Sequence, residues 1–207
     1  MPGFYPFRVY SVKHSVPNHL NDYANYKPFL KDDYKSHCAY CNINDTWVSP
    51  ESFHVDHFIP RVVFASANRN DLDTRYDNLV YSCPSCNRLK SSCFEGDRSL
   101  MLEDNKAFIN PNKKDYNEFF YRDDLGRIKS DDDLGKKMID RLCLFRSSKQ
   151  LSWLLDNLVV IREKLITLIK NEENLERKQK LESIKNKVGD KCFEYEQLFK
   201  SLYSSRN

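Results

Sequence analysis

The apolar positions of this chain change rhythm along its length, and that change predicts where its elements lie. Before residue 37 they come as short aromatic groups, with a helix predicted over residues 25–35. Residues 52–58 read as a short strand ending at Pro60, and 79–82 as a second apolar strand, with a polar loop over 68–77 between them. Pro84 suits the first turn of a helix, where its missing N–H costs little, and that helix is predicted to run to about Ser92. Phe108-Ile109-Asn110-Pro111, Phe119-Phe120-Tyr121 and Gly126-Arg127-Ile128 predict an irregular stretch and a hairpin.

From Leu134 apolar residues recur every three or four positions. Leu134, Met138, Ile139, Leu142 and Phe145 form one such face. Leu151, Leu154, Leu155, Leu158, Val159, Leu165, Ile166 and Ile169 form another. Residues 171–187 are highly charged and read as a solvated helical stretch, and Val188-Gly189-Asp190 as a break. A last helix then carries Cys192, Tyr195, Phe199 and Leu202 on one side. The whole reads as α+β in three segments: an aromatic-rich 1–36, a motif-bearing 37–92 and a mostly helical extension, 93–207, that packs on the core or binds a partner.

Composition narrows the class. Twelve Tyr and thirteen Phe argue for a packed core despite 30% charged residues. A net charge of +3 indicates no global polyanion-binding surface, so nucleic-acid binding must come from a local patch. No apolar run approaches the roughly 20 residues of a membrane helix, and the first residues do not resemble a secretory signal. Seven cysteines, an odd number, include two C-x-x-C pairs, which favours a reducing compartment and a metal site over a disulfide framework. A cytoplasmic location is the expectation.

The pairs are Cys38-x-x-Cys41 and Cys83-x-x-Cys86, with 41 residues between them. Together they supply the four soft ligands of a structural Zn²⁺ site, which would close a long excursion at its base. Cys93, Cys143 and Cys192 lack such spacing and read as small buried hydrophobes. Between and beside the knuckles lie Asp56-His57, Asn78 and Asn87. His57 can deprotonate a water near neutral pH. Asp56 and the Asn87 amide oxygen are hard ligands for a divalent cation such as Mg²⁺ or Mn²⁺, with waters and phosphate completing the shell. Asn78 can hydrogen-bond across the loop and hold His57. His54 shares a strand face with Asp56 and reads equally as an auxiliary contact or a hydrogen-bonded strand histidine. Arg88 and Lys90, on the helix of Asn87, are phosphate-contact candidates, whereas Arg61 reads more as a solvated surface charge. No base-reading helix stands out.

Asp56-His57, Asn78 and Asn87, set between two cysteine knuckles, resemble the HNH endonuclease family over about residues 37–92. The resemblance implies a zinc-stapled ββα-metal core and metal-dependent hydrolysis of DNA to 5′-phosphate and 3′-hydroxyl ends. In it, His57 activates water while a cation on Asp56 and Asn87 stabilises the leaving 3′ oxygen. Asn87 stands where the family's last letter is histidine, an HNN variant that leaves metal preference open. The extension is similar, in Ile109-Asn110-Pro111, Gly126-Arg127-Ile128 and Leu142-Cys143-Leu144-Phe145, to HNH effectors of bacterial anti-phage systems of the Septu type. That likeness implies an ATPase or other defence-complex partner. Two other readings compete with a free-standing enzyme: a zinc-stapled module that binds nucleic acid or a partner without cutting, and an effector active only within a complex.

Overall fold

The computed structural model describes residues 4–15, 18–96 and 105–204. Two antiparallel strands, β2 (His54–His57) and β3 (Leu79–Ser82), form the centre. Their register sets His54 opposite Ser82, Asp56 opposite Val80 and His57 opposite Leu79. β3 is buried along its whole length, which explains why it reads as a continuous apolar run rather than an alternating one. α3 (Pro84–Lys90) follows directly and packs on β2, so the segment is a ββα unit. Cys83 caps α3, its sulfur accepting from the Cys86 N–H, and Pro84 fills the first helical position.

The connection from β2 to β3 is more ordered than its polar sequence suggests. It contains α2 (Arg61–Ser66), which buries Val63 and Phe64, and 3₁₀ turns at Asn70–Asp73 and Tyr76–Asn78. Only Leu72 and Asn78 are buried within the two turns, too few apolar anchors to give a readable period. α1 (Lys27–Asp33) packs on both strands; Pro28 sits in its first turn and Leu30 is buried in the core.

A second sheet joins the N-terminal segment to the extension. β1 (Tyr5–Pro6), β4 (Tyr121–Arg122) and β5 (Ile128–Lys129) are antiparallel in the order β1-β4-β5. The β4–β5 hairpin matches the turn read from Gly126. That residue has φ +77°, and a Cβ there would lie 2.4 Å from the Trp153 ring, so the turn requires glycine twice over. One apolar cluster draws on all three sequence segments: Phe7 and Tyr34, then Tyr40, Phe58 and Tyr81, then Phe108, Tyr116 and Phe120.

α4 (Asp133–Arg141), α5 (Ser147–Asn171) and α6 (Leu175–Ser204) follow, the last two forming a long hairpin. Four expectations need correction. The helical face does not continue through residues 142–146: α4 stops at Arg141, Cys143 takes φ +48°, and the turn buries Leu142 and Leu144 while exposing Phe145. Ile166 is likewise exposed on α5. The break at Gly189 is absent, because α6 runs straight through it with open space at the Cβ position. A single glycine costs a helix only about 1 kcal/mol, which the pairing with α5 offsets. The chain turns instead at residues 172–174, where the Asn174 side chain accepts from the Arg177 N–H at 3.0 Å and starts α6. Cys93, Cys143 and Cys192 are half-buried rather than buried.

Arg122 is the tie between sheet and helix. It is fully buried, and its guanidinium donates to the carbonyls of Gly126 (2.8 Å), Lys149 (3.3 Å) and Cys41 (3.3 Å). Burial lowers its pKa to about 10, so it remains charged at neutral pH. Lysine cannot reproduce this fork of donors. Arg122→Lys is expected to cost about 2–4 kcal/mol in chemical denaturation. A loss below about 1 kcal/mol would mean that water replaces the guanidinium without penalty.

Candidate active site

The four knuckle cysteines converge. Cys38, Cys41, Cys83 and Cys86 are unpaired and fully buried, and their sulfurs all lie within 4.8 Å of one another. Cys41 and Cys83 Sγ are 3.8 Å apart, close to the edge of a tetrahedron with Zn–S of about 2.3 Å. The donor set therefore fits structural zinc. Backbone groups also tie the knuckles together: Cys83 N–H donates to Cys38 Sγ (3.4 Å), and Ala39 N–H donates to the Tyr81 carbonyl (2.7 Å). Lys149, buried on α5, sets its ammonium 3.6 Å from Cys83 Sγ. Burial pulls Lys149 down in pKa, but the surrounding cysteine sulfurs outweigh it and push the group well up. Burial also opposes ionisation of Cys83, yet hydrogen bonds from the other three cysteines and the Lys149 charge hold it well below an ordinary thiol.

The first knuckle also builds the acidic centre. Tyr40, between its two cysteines, donates to Asp56 Oδ2 at 2.8 Å. Asp56 Oδ1 accepts from Lys90 at 3.1 Å. An ionised carboxylate offers about four acceptor positions, so both oxygens keep capacity for a cation. Asn87 stands one turn into α3, and its side chain lines the same open cleft of about 240 Å³ as Asp56, His57, Arg61 and Lys90. These hard oxygens facing a solvent-open cleft fit a magnesium-like ion.

His57 is largely buried against Tyr23 and Phe64, with ring centroids 4.7 and 5.8 Å away. Its Nε2 lies 2.9 Å from the Asp73 carbonyl oxygen and 3.2 Å from the Asp73 carboxylate. A carbonyl only accepts, so Nε2 carries the proton and Nδ1 keeps its lone pair. Burial lowers the His57 pKa below 6.5 more than Asp73 and Asp56 raise it, which keeps the ring neutral at neutral pH.

Asn78 serves His57 at one remove, not by touching the ring. Fully buried, it accepts from Ile59 N–H at 2.8 Å and donates to the Leu72 carbonyl at 3.0 Å. It thus straps the turn carrying Asp73 to the end of β2. Lys90 is not placed for phosphate contact: it is 1% exposed, with its ammonium on Asp56 and 2.7 Å from the His57 carbonyl. Arg61 is held bidentate by Asp73 at 2.8 and 3.0 Å and lies over the Tyr23 ring. Arg88 and His54 are exposed, and neither lines the cleft. Asp73 and Lys149 carry no sequence signal of their own. Tyr40 alone was findable, since it lies inside a knuckle.

Residues 38–92 match the family model for HNH endonuclease. The match spans roughly a quarter of the chain and contains both knuckles, Asp56, His57, Asn78 and Asn87. Curated proteins and solved structures return no match. Within the HNH segment, the four-cysteine cluster agrees with the zinc-bearing type of that family.

Two measurements check this geometry. Cys83→Ser is expected to lose bound zinc, read by elemental analysis, and to lower the thermal midpoint by roughly 10 °C or more. Retention of both would exclude a structural four-thiolate site. Tyr40→Phe removes one hydrogen bond from Asp56 without changing the core shape. It is expected to weaken Mn²⁺ binding about tenfold by calorimetry, and unchanged affinity would place the ion away from Asp56.

Proposed function

We propose that this protein is a metal-dependent endonuclease that hydrolyses DNA phosphodiester bonds to 5′-phosphate and 3′-hydroxyl ends. The observation that carries this reading is His57, a neutral base with Nε2 fixed by the Asp73 carbonyl, sharing one cleft with Asp56 and Asn87. Nδ1 takes the proton of the attacking water, and the Nε2–H bond to Asp73 steadies the imidazolium that forms. A divalent cation held by Asp56 and Asn87 would supply charge stabilisation at the leaving 3′ oxygen. Asn78 and Arg61 act through Asp73, one fixing its turn and the other its carboxylate. Zinc on the four cysteines has no part in the chemistry and holds the two halves of the site together.

A second reading adds a partner. The α5–α6 hairpin exposes Val160, Ile161, Leu168, Leu175, Ile184, Phe193 and Leu198, apolar side chains that a partner could cover. This favours an effector that works within a complex, such as an anti-phage system with an ATPase subunit. No helix among the described residues is long and apolar enough to cross a membrane, so these residues do not form such a span.

Supercoiled plasmid with Mg²⁺ or Mn²⁺ tests the activity. Wild type is expected to nick or linearise it, and His57→Ala to lose at least about 100-fold in rate while keeping its zinc. DNA ligase should reseal nicked product, since it needs a 5′-phosphate and a 3′-hydroxyl. Equal rates in both proteins would sink the assignment of His57. Inactivity of both alone, with cleavage restored by a co-purifying subunit, would select the second reading.

A further inference from the structure

The cleft that would hold a divalent cation has no negative charge to spare. Three of its lining side chains are ionised at neutral pH: Asp56, Arg61 and Lys90. Arg61 is matched by Asp73, which holds it bidentate. Asp56 is matched by Lys90, whose ammonium lies 3.1 Å from Oδ1. His57 is neutral, and Asn87, Ser91 and Ser92 carry no charge. Two carboxylates therefore face two cations, and the local charge is zero.

The pairing of Asp56 with Lys90 is built into the fold. Both side chains are buried, and Lys90 is the last residue of α3, the helix that starts at the second knuckle. Its ammonium has an anchor that does not depend on Asp56, the His57 carbonyl at 2.7 Å. Tyr40 holds the other oxygen of Asp56, but a neutral hydroxyl adds no charge. A lysine buried this deeply does not reach out to grip a phosphate. Its effect on the cleft is to cancel the charge of the carboxylate.

That cancellation decides what the cleft can bind. A dication drawn to Asp56 is repelled by the ammonium beside it, and the two forces act over similar distances. A phosphodiester brings the missing negative charge, and Mg²⁺-type ions are ordinarily held by one or two carboxylates together with substrate phosphate. A phosphate beside an uncompensated Asp56 would in turn be repelled, and Lys90 removes that repulsion. We propose that the divalent cation and the phosphodiester bind this cleft as one unit, each raising the other's affinity, and that Lys90 imposes the coupling. Lys90 acts through Asp56 and is a positioning residue. The inference rests on the nuclease reading of the cleft, and it adds to that reading how the cation is recruited: the free protein holds it weakly, and a strand in place holds it firmly.

Mn²⁺ binding to the full zinc-loaded chain tests it, by calorimetry and by the electron paramagnetic resonance of free Mn²⁺. A short DNA duplex is the second probe, used with the His57→Ala chain so that the strands stay intact. Mn²⁺ titrated into the duplex without protein gives the baseline. The duplex is expected to tighten Mn²⁺ binding at least about tenfold, and Mn²⁺ to tighten duplex binding by the same factor. Lys90→Gln, made in the same chain, keeps an N–H donor for the His57 carbonyl and removes the charge. It is expected to bind Mn²⁺ alone about tenfold more tightly, to bind the duplex alone more weakly, and to lose most of the mutual effect. A merely structural role for Lys90 predicts the opposite sign, since a disturbed site binds Mn²⁺ less well. Lys90→Met repeats the measurement if Lys90→Gln does not fold, and the mutual tightening needs no variant at Lys90 at all. Mn²⁺ affinity indifferent to the duplex, or unchanged or lowered in a folded Lys90 variant, would overturn the proposal. Plasmid cleavage by the wild type, run in parallel, keeps the two readings apart. Cleavage without mutual tightening sinks this inference alone, and mutual tightening without cleavage sinks only the assignment of the chemistry.

Discussion

The whole candidate site depends on four buried sulfurs. A hairpin of two four-residue strands and one seven-residue helix cannot bury enough apolar surface to hold itself together. The sulfur cluster closes it, and each knuckle also delivers a functional group. The first carries Tyr40 to Asp56, and the second starts the helix bearing Asn87 and Lys90. Four thiolates around Zn²⁺ would leave a net charge of −2 in a region closed to water, which demands counter-charge. Lys149 and Arg122 provide it from the extension, one beside a sulfur and the other on a knuckle carbonyl. Half of the chain, silent in catalytic motif, is thereby coupled to the active site through electrostatics.

The same economy governs His57. Its reactivity depends on which ring nitrogen holds the proton, and that is decided by a backbone carbonyl in a polar turn. The turn has little apolar burial to fix it and relies on hydrogen bonds. Asn78 ties it to β2, and the Asp73 carboxylate is shared between His57 and Arg61. The middle asparagine of the motif thus reaches His57 only through the turn of Asp73, a residue that the motif does not name.

What the sequence makes legible follows from this division. Ligand chemistry is written in residue type and spacing, so the knuckles could be read directly, as could the strands, α3 and the hairpin at Gly126, and Asp56, His57 and Asn87, singled out beside the knuckles, line one cleft. Contacts between distant segments are not written locally. Nothing near Lys149 distinguishes it from a surface lysine, although it ends up buried against Cys83, 66 positions away in the chain. Lys90 reads as a phosphate contact because it follows Asn87 on an exposed-looking helix; burial turns it inward to neutralise Asp56. Gly189 shows the opposite error, where a strong local breaking signal loses to the packing of α5 on α6. Apolar period likewise fails at Phe145, because a positive φ at Cys143 ends the helix before the face is complete.

The extension's contribution to precision is most visible at Asn112. Its Nδ2 donates to the carbonyls of Asp77 (3.1 Å) and Leu79 (2.9 Å), the two residues flanking Asn78, while its Oδ1 accepts from Tyr34. Asn78 therefore fixes the turn from inside, and Asn112 clamps the backbone on either side of it from outside. A general base works only if its free nitrogen is held to a fraction of an ångström, and a loop alone rarely offers that. Here the loop is held by two asparagines from opposite sides, 34 positions apart. One is legible as a motif letter. The other lies in a segment, Ile109-Asn110-Pro111-Asn112, in which the Asn110 side chain accepts from the Asn112 N–H at 2.9 Å and so fixes the turn that presents the clamp.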